Sequence, residues 1–186
     1  GDRVVSAGDD GLVAVWDLAK GEAVHSMAGH VGGVLALSVR GDGERVLSGG
    51  RDGRVREWSL GDGRELTTIQ AHRGAVEAVD YAGDGQHALS VGRDGAAVEW
   101  DLQAGIDVLC LEQDDWIESA VFAGDGIFCT AGRGGDIRVW NRGMGLEAGR
   151  LLGHEGAVHA LAVSPDGRTL VSGSADSTAL VWSLSD

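Results

Sequence analysis

The stretch HRGAVEAVDYAGDGQHALSVGRDGAAVEWDLQAGIDVLCLE, residues 72–112, decides the fold. Behind His72, the apolar residues Val76, Ala78 and Val79 mark a first strand, a, which ends at the turn of Gly83, Asp84 and Gly85. Residues 87–91 read as strand b, the Gly-Arg-Asp-Gly turn at 92–95 reverses the chain, and residues 96–100 read as strand c, closed by Trp100. After a turn at 101–105, residues 106–111 alternate imperfectly between apolar and polar, as an outer strand d does. The unit is four antiparallel strands.

Working outward, Trp16, Trp58, Trp100, Trp140 and Trp182 stand 42, 42, 40 and 42 residues apart, each closing a strand c. A period of about 40–45 residues ending in Trp is the spacing of a four-stranded propeller blade, and no blade buries both of its faces alone. The order recurs through 30–70, 72–112 and 113–152, while 2–28 supplies only b, c and d, and 154–183 only a, b and c. One array over residues 1–186 results, with three whole blades between two partial ones. The expected fold is all-β, a β-propeller segment of about four and a half blades with strand a innermost. Because bare strand edges invite pairing, the segment is expected to belong to a larger ring, its missing blades supplied by the rest of a parent chain or by self-association.

The pairs Gly29-His30, Ala71-His72 and Gly153-His154, the pairs Trp16-Asp17 and Trp100-Asp101, and the turn Ser164-Pro165-Asp166-Gly167 strongly resemble WD40-repeat propellers over the whole chain. That resemblance implies an interaction scaffold without catalysis. Composition agrees with a sheet protein: 32 Gly supply tight turns, and the one Pro, Pro165, spares the strands their N–H donors. Fifteen basic against 29 acidic residues give a net charge of −14, which repels nucleic acid and anionic membranes. Cys110 and Cys129 fall on different strands without metal-ligand spacing, and no apolar run is long enough to span a bilayer. A cytoplasmic location, no cofactor and no metal are the expectations.

A Ser, a His and an Asp recur together, as His30/Ser48/Asp52, His72/Ser90/Asp94 and His154/Ser172/Asp176, alongside Trp58, Trp100 and Trp182. The trio invites a hydrolase reading. An enzyme, however, needs one activated nucleophile in one cleft, and three regular copies would put a separate site in every blade. The resemblance implies instead a structural network, Asp to His to Ser to indole N–H, in which buried polar groups pair in series. The blade at 113–152 departs from it, with Gln113 in the His column and Gly134 in the Asp column, so that Thr130 and Trp140 alone remain. That blade is expected to be the softest, or freed for another purpose. Gly-rich segments such as 132–135 lack the Lys-Ser/Thr of a phosphate loop, and the Asp-Gly pairs lack calcium-loop spacing; both are turn chemistry.

A feature present in every blade holds the blade together, so specificity lies in the exceptions. The d–a and b–c connections share one end of a propeller, its top face. Just before the Asp column the chain reads Asp9, Arg51, Arg93, Arg133 and Ala175; just before strand a it reads Gly33, Ala75, Trp116 and Ala157; two places on it reads Leu35, Glu77, Glu118 and His159. Trp beside Arg is the chemistry of an interface anchor. Trp116 with Arg51, Arg93 and Arg133 is expected to form a patch for a protein or peptide carrying acidic groups, with Glu77, Glu118 and His159 tuning selectivity. The competing readings are that the arginines merely pair with neighbouring carboxylates and that Trp116 fills the gap at Gln113 and Gly134. His25, His87 and His159 are expected on the surface. The expected function is a non-catalytic interaction scaffold or the regulatory module of a larger protein; the alternative is a propeller hydrolase or lyase with a channel-facing site, for which no non-repeated ionisable cluster stands out.

Overall fold

The computed structural model describes residues 2–124 and 126–184; Gly1, Asp125, Ser185 and Asp186 lie outside them. The described residues form eighteen strands in five antiparallel sheets. The first sheet holds β1 (Arg3–Ala7), β2 (Leu12–Asp17) and β3 (Glu22–Ala28). The second holds β4 (Val34–Val39), β5 (Arg45–Gly50), β6 (Arg54–Ser59) and β7 (Glu65–Gln70), and the third β8 (Val76–Tyr81), β9 (His87–Gly92), β10 (Ala96–Asp101) and β11 (Ile106–Glu112). The fourth is β12 (Ile117–Ala123), β13 (Ile127–Gly132), β14 (Ile137–Asn141) and β15 (Leu146–Leu151); the fifth is β16 (Val158–Val163), β17 (Thr169–Ser174) and β18 (Ala179–Ser183). Each sheet is a meander in chain order, as a β-propeller segment requires.

Local chemistry explains the meanders. At the b–c turns Gly11, Gly53, Gly95 and Gly135 take φ of 77°, 73°, 76° and 79°, a region open to glycine without steric cost. A Cβ on Gly11 would also stand 2.8 Å from the Gly32 carbonyl oxygen of the incoming loop of the next sheet. The same closeness ties sheets together, since the Gly53 carbonyl accepts the His72 N–H at 3.0 Å and the Gly95 carbonyl accepts the Gln113 N–H at 2.8 Å. A bulge precedes Trp16, Trp58, Trp100 and Trp140 in every c–d pairing, which accounts for the imperfect alternation of strand d in the sequence.

No single core exists. Four apolar clusters each lie between two neighbouring sheets: Val13, Val15 and Met27 pack on Val34, Val46 and Trp58; Leu47 and Val55 on Val76 and Trp100; Leu89 and Val91 on Ile117, Phe128 and Trp140; Cys129 and Ile137 on Val158 and Leu170. Full burial of such a side chain contributes about 1.5–3 kcal/mol, so the sheets are stable chiefly as neighbours. Polar links cross the same seams. The buried Glu57 carboxylate accepts the Tyr81 hydroxyl at 2.8 Å, and the equivalent Glu99 accepts from Arg142 Nε at 2.7 Å. Arg142 stands in a column otherwise filled by Leu18, Leu60, Leu102 and Leu184, so the fourth sheet meets its neighbour with an ion pair where others use a leucine.

Candidate functional site

The recurring polar residues meet in three equivalent places. In the second sheet His30 Nδ1 lies 2.9 Å from Asp52, His30 Nε2 lies 2.8 Å from Ser48 Oγ, and the Trp58 indole N–H donates to the same oxygen at 2.8 Å. In the third sheet the distances are 2.9 Å for His72–Asp94, 2.8 Å for His72–Ser90 and 2.9 Å for Trp100–Ser90. In the fifth they are 2.8 Å for His154–Asp176, 2.7 Å for His154–Ser172 and 2.8 Å for Trp182–Ser172. With Nδ1 donating to the carboxylate, Nε2 accepts the Ser hydroxyl, whose oxygen is then free to accept the indole N–H. Each Ser hydroxyl thus bonds the imidazole and the indole of its own sheet.

The carboxylates of the set are tuned by their surroundings. Burial alone would raise Asp52 and Asp94, but the Val31 or Arg73 backbone N–H and the His ring outweigh it, and both carboxyls fall below the usual range. Asp176 is lowered too, first by the Thr178 hydroxyl and then, against burial, by His154.

In the fourth sheet the structure corrects the expectation that Thr130 and Trp140 stand alone. Gln113 Nε2 donates to Thr130 Oγ1 at 2.8 Å, and the Trp140 indole N–H donates to it at 2.8 Å. An amide thus takes the place of the imidazole on the strand-b hydroxyl, with no carboxylate beyond it. Trp116 is half-buried and its ring is occupied from elsewhere: the Arg133 guanidinium carbon lies 3.7 Å and that of Arg93 5.0 Å from the ring centroid. The tryptophan thus joins the guanidiniums of two sheets.

The structure brings together Trp116, Arg93, Arg133, Glu77, Glu118 and His159, and leaves Arg51 out. Arg93 Nε bonds Glu77, Arg133 Nε lies 3.9 Å from Glu118, and Glu118 also meets His159 Nδ1, forming a continuous chain from Glu77 to His159 across three sheets. Arg51 instead reaches back to Asp9 at 3.0 Å, beside Gly33, which occupies the Trp116 column. Three arginines in register therefore do not form one row, because the fourth sheet supplies an indole on which its own Arg133 and the third sheet's Arg93 meet. Arg93, Arg133 and His159 remain about half exposed, at 47%, 51% and 56%. His25 and His87 are partly exposed and bonded there, to the Gly61 carbonyl at 3.1 Å and to Asp84 at 2.7 Å. Sequence reasoning passed over Asp9 and Gln113 as partners, although both are exceptions in repeat columns.

Comparison with known proteins agrees with the repeat geometry. The family model for the WD domain, G-beta repeat, matches residues 21–59, 63–101 and 146–183, together more than half of the chain. The chain belongs to the WD40 family. Each WD40 match runs from strand d through the following strand c, and the unmatched stretch between the second and third holds β11–β14, where Gln113 and Gly134 replace the family's His and Asp. Among WD40 relatives, the chain is 51% identical over 49 residues to the periodic tryptophan protein 2 homolog of Neurospora crassa, covering 26% of this chain and 6% of that protein. It is 33% identical over 75 residues to the small ribosomal subunit protein RACK1 of Caenorhabditis elegans, covering 39% of this chain and 23% of that protein. RACK1y of Oryza sativa subsp. japonica is 44% identical over 50 residues, covering 27% and 15%. These matches span less than a quarter of each relative's length.

Proposed function

We propose that this chain is a non-catalytic interaction module, a scaffold or regulatory segment, whose contact surface is the top-face patch centred on Trp116. Membership of the WD40 family and the likeness to RACK1, a ribosomal subunit protein by name, support an assembly role over a catalytic one. A cytoplasmic location fits that reading. The structural role of the His30, His72 and His154 networks fits it as well, because each recurs identically and so cannot distinguish one partner from another.

One observation carries the location of the surface. Trp116 is the indole outside the strand-c column, and two guanidiniums lie within 5.0 Å of its ring on the connections that vary between blades. An aromatic ring flanked by half-exposed arginines is a hot-spot composition, and arginine favours carboxylates. The partner is therefore a protein or peptide with acidic groups, and nucleic acid and anionic membranes are disfavoured by the net charge of −14. Glu77 and Glu118 compete with the partner for the same guanidiniums, and His159 competes for Glu118. An array of peptides graded in carboxylate content tests this: Trp116→Ala should lower the affinity of the best binders by about 2 kcal/mol, about thirtyfold. A lowered melting temperature with unchanged affinity would instead make Trp116 a packing residue.

A further inference from the structure

We infer that the cleft between the third and fourth sheets, at the end of the segment opposite the Trp116 patch, receives an arginine side chain of a partner protein. The cleft holds about 480 Å³, within the roughly 300–1,000 Å³ of ligand-sized clefts, and His87, Glu99, Val108, Leu109, Arg142 and Met144 line it. It lies where the start of β9 and of β11 in the third sheet meets the c–d turn of the fourth. The repeat itself shows what this cleft lacks. In the equivalent seam between the second and third sheets, both oxygens of the buried Glu57 carboxylate are taken, Oε1 by the Tyr81 hydroxyl at 2.8 Å and Oε2 by Arg45 Nη1 at 3.0 Å. Glu99 stands in the same column and is buried, at 4% exposure, but Arg142 Nε at 2.7 Å and Nη2 at 2.5 Å both meet its Oε1. The Arg45 column holds His87 here, and its Nδ1 is bonded to Asp84 at 2.7 Å. Glu99 Oε2 thus accepts no hydrogen bond among the described residues, and Glu99 lines the cleft.

A buried carboxylate oxygen without a donor is costly, and the donor that satisfies it in the neighbouring seam is a guanidinium. Charge points the same way. Glu99 and Asp84 face Arg142, whose Nη2 lies 2.5 Å from one carboxylate and 3.7 Å from the other, so with His87 neutral a second cation balances the cluster. The walls suit the stem of such a side chain. Val108, Leu109 and Met144 replace the Leu66, Thr67 and Ala104 of the other seam, and Met144 is 68% exposed, a flexible thioether able to close over methylene groups. Gly145 lets that turn settle on the cleft wall, since a Cβ there would stand 2.9 Å from Leu109 Cδ1. Arginine fits better than lysine because its planar head is more weakly hydrated and loses less on leaving water. The net charge of −14 favours the approach of a basic partner.

Fluorescein-labelled degenerate peptide pools with a central Arg, Lys or citrulline test this by anisotropy, with unlabelled agmatine as a competitor. Salt of about 0.15 M screens general attraction to the acidic surface. The Arg pool should bind about tenfold more tightly than the citrulline pool and about threefold more tightly than the Lys pool. His87→Arg returns the repeat's own cation to Glu99, so it should remove about tenfold without lowering the melting temperature, whereas His87→Gln should not weaken binding. Met144→Ala should weaken it about threefold, and Trp116→Ala should leave it within about twofold, which separates this cleft from the top-face surface. Equal binding of the Arg and citrulline pools would overturn the inference, as would full binding by His87→Arg. An equally tight Lys pool would overturn the guanidinium as the recognised group. Agmatine binding as tightly as the Arg pool would overturn the partner side chain in favour of a small guanidino compound.

Discussion

His72 and Gln113 occupy one column and do unequal work. His72 is buried, at 3% exposure, and joins a carboxylate to a hydroxyl; Gln113 makes one neutral hydrogen bond. His72→Ala leaves Ser90 without its ring partner and should cost about 2–3 kcal/mol, against about 1 kcal/mol for Gln113→Ala, as urea midpoints at constant slope would report. Acid acts on the same residues with a definite sign. Asp52, Asp94 and Asp176 have folded pKa values below their ordinary one, so their stabilisation is complete above about pH 4 and is lost as pH falls through the folded values. Asp80 behaves oppositely. Burial raises its pKa despite the Phe122 N–H at 2.9 Å and the Ser38 hydroxyl at 3.2 Å, so its ionisation weakens the fold as pH rises. Asp80→Asn should therefore raise the melting temperature at pH 7, with the gain closing toward pH 4; an equal gain at both pH values would exclude this cause.

At the scale of elements, the strands and their turns were legible from the sequence because each blade repeats the same local instructions. Apolar alternation, Asp-Gly turns and the closing Trp agree in every unit, and agreement between levels is what specifies a fold. The patch was legible only as a set of columns. Register places residues on the same connection, but it does not say which neighbour a long arginine will choose, and Asp9 took Arg51 where Trp116 took Arg93 and Arg133. The Gln113–Thr130 bond was not legible for a related reason: an amide can replace an imidazole on a hydroxyl once the carboxylate beyond it is gone. The fourth sheet should accordingly be weaker than its neighbours by little. Amide exchange in β13 and β14 should be faster than in β9 and β10 by about tenfold, whereas a gap of several orders would mean that the Gln113 bond contributes nothing.

Across the whole molecule, the apolar clusters lie between sheets and never within one, so the five sheets are joined in series. Each is clasped to the next by a seam of side chains, and the first three seams add a backbone bond accepted by a b–c turn glycine, Gly8, Gly53 or Gly95. Such a chain has a mechanical grain. Pulled from its two ends in a force spectrometer, it should yield one sheet at a time, because peeling an outer sheet exposes a single seam while the others stay shut. Rupture of a four-stranded sheet would release about 40 residues, or about 140 Å of contour length, and rupture of a three-stranded outer sheet about 90 Å, giving a sawtooth with two spacings. The lowest peak should belong to a sheet with one seam, the first or the fifth, and Glu99→Gln should lower the peak of the seam that Arg142 closes and no other.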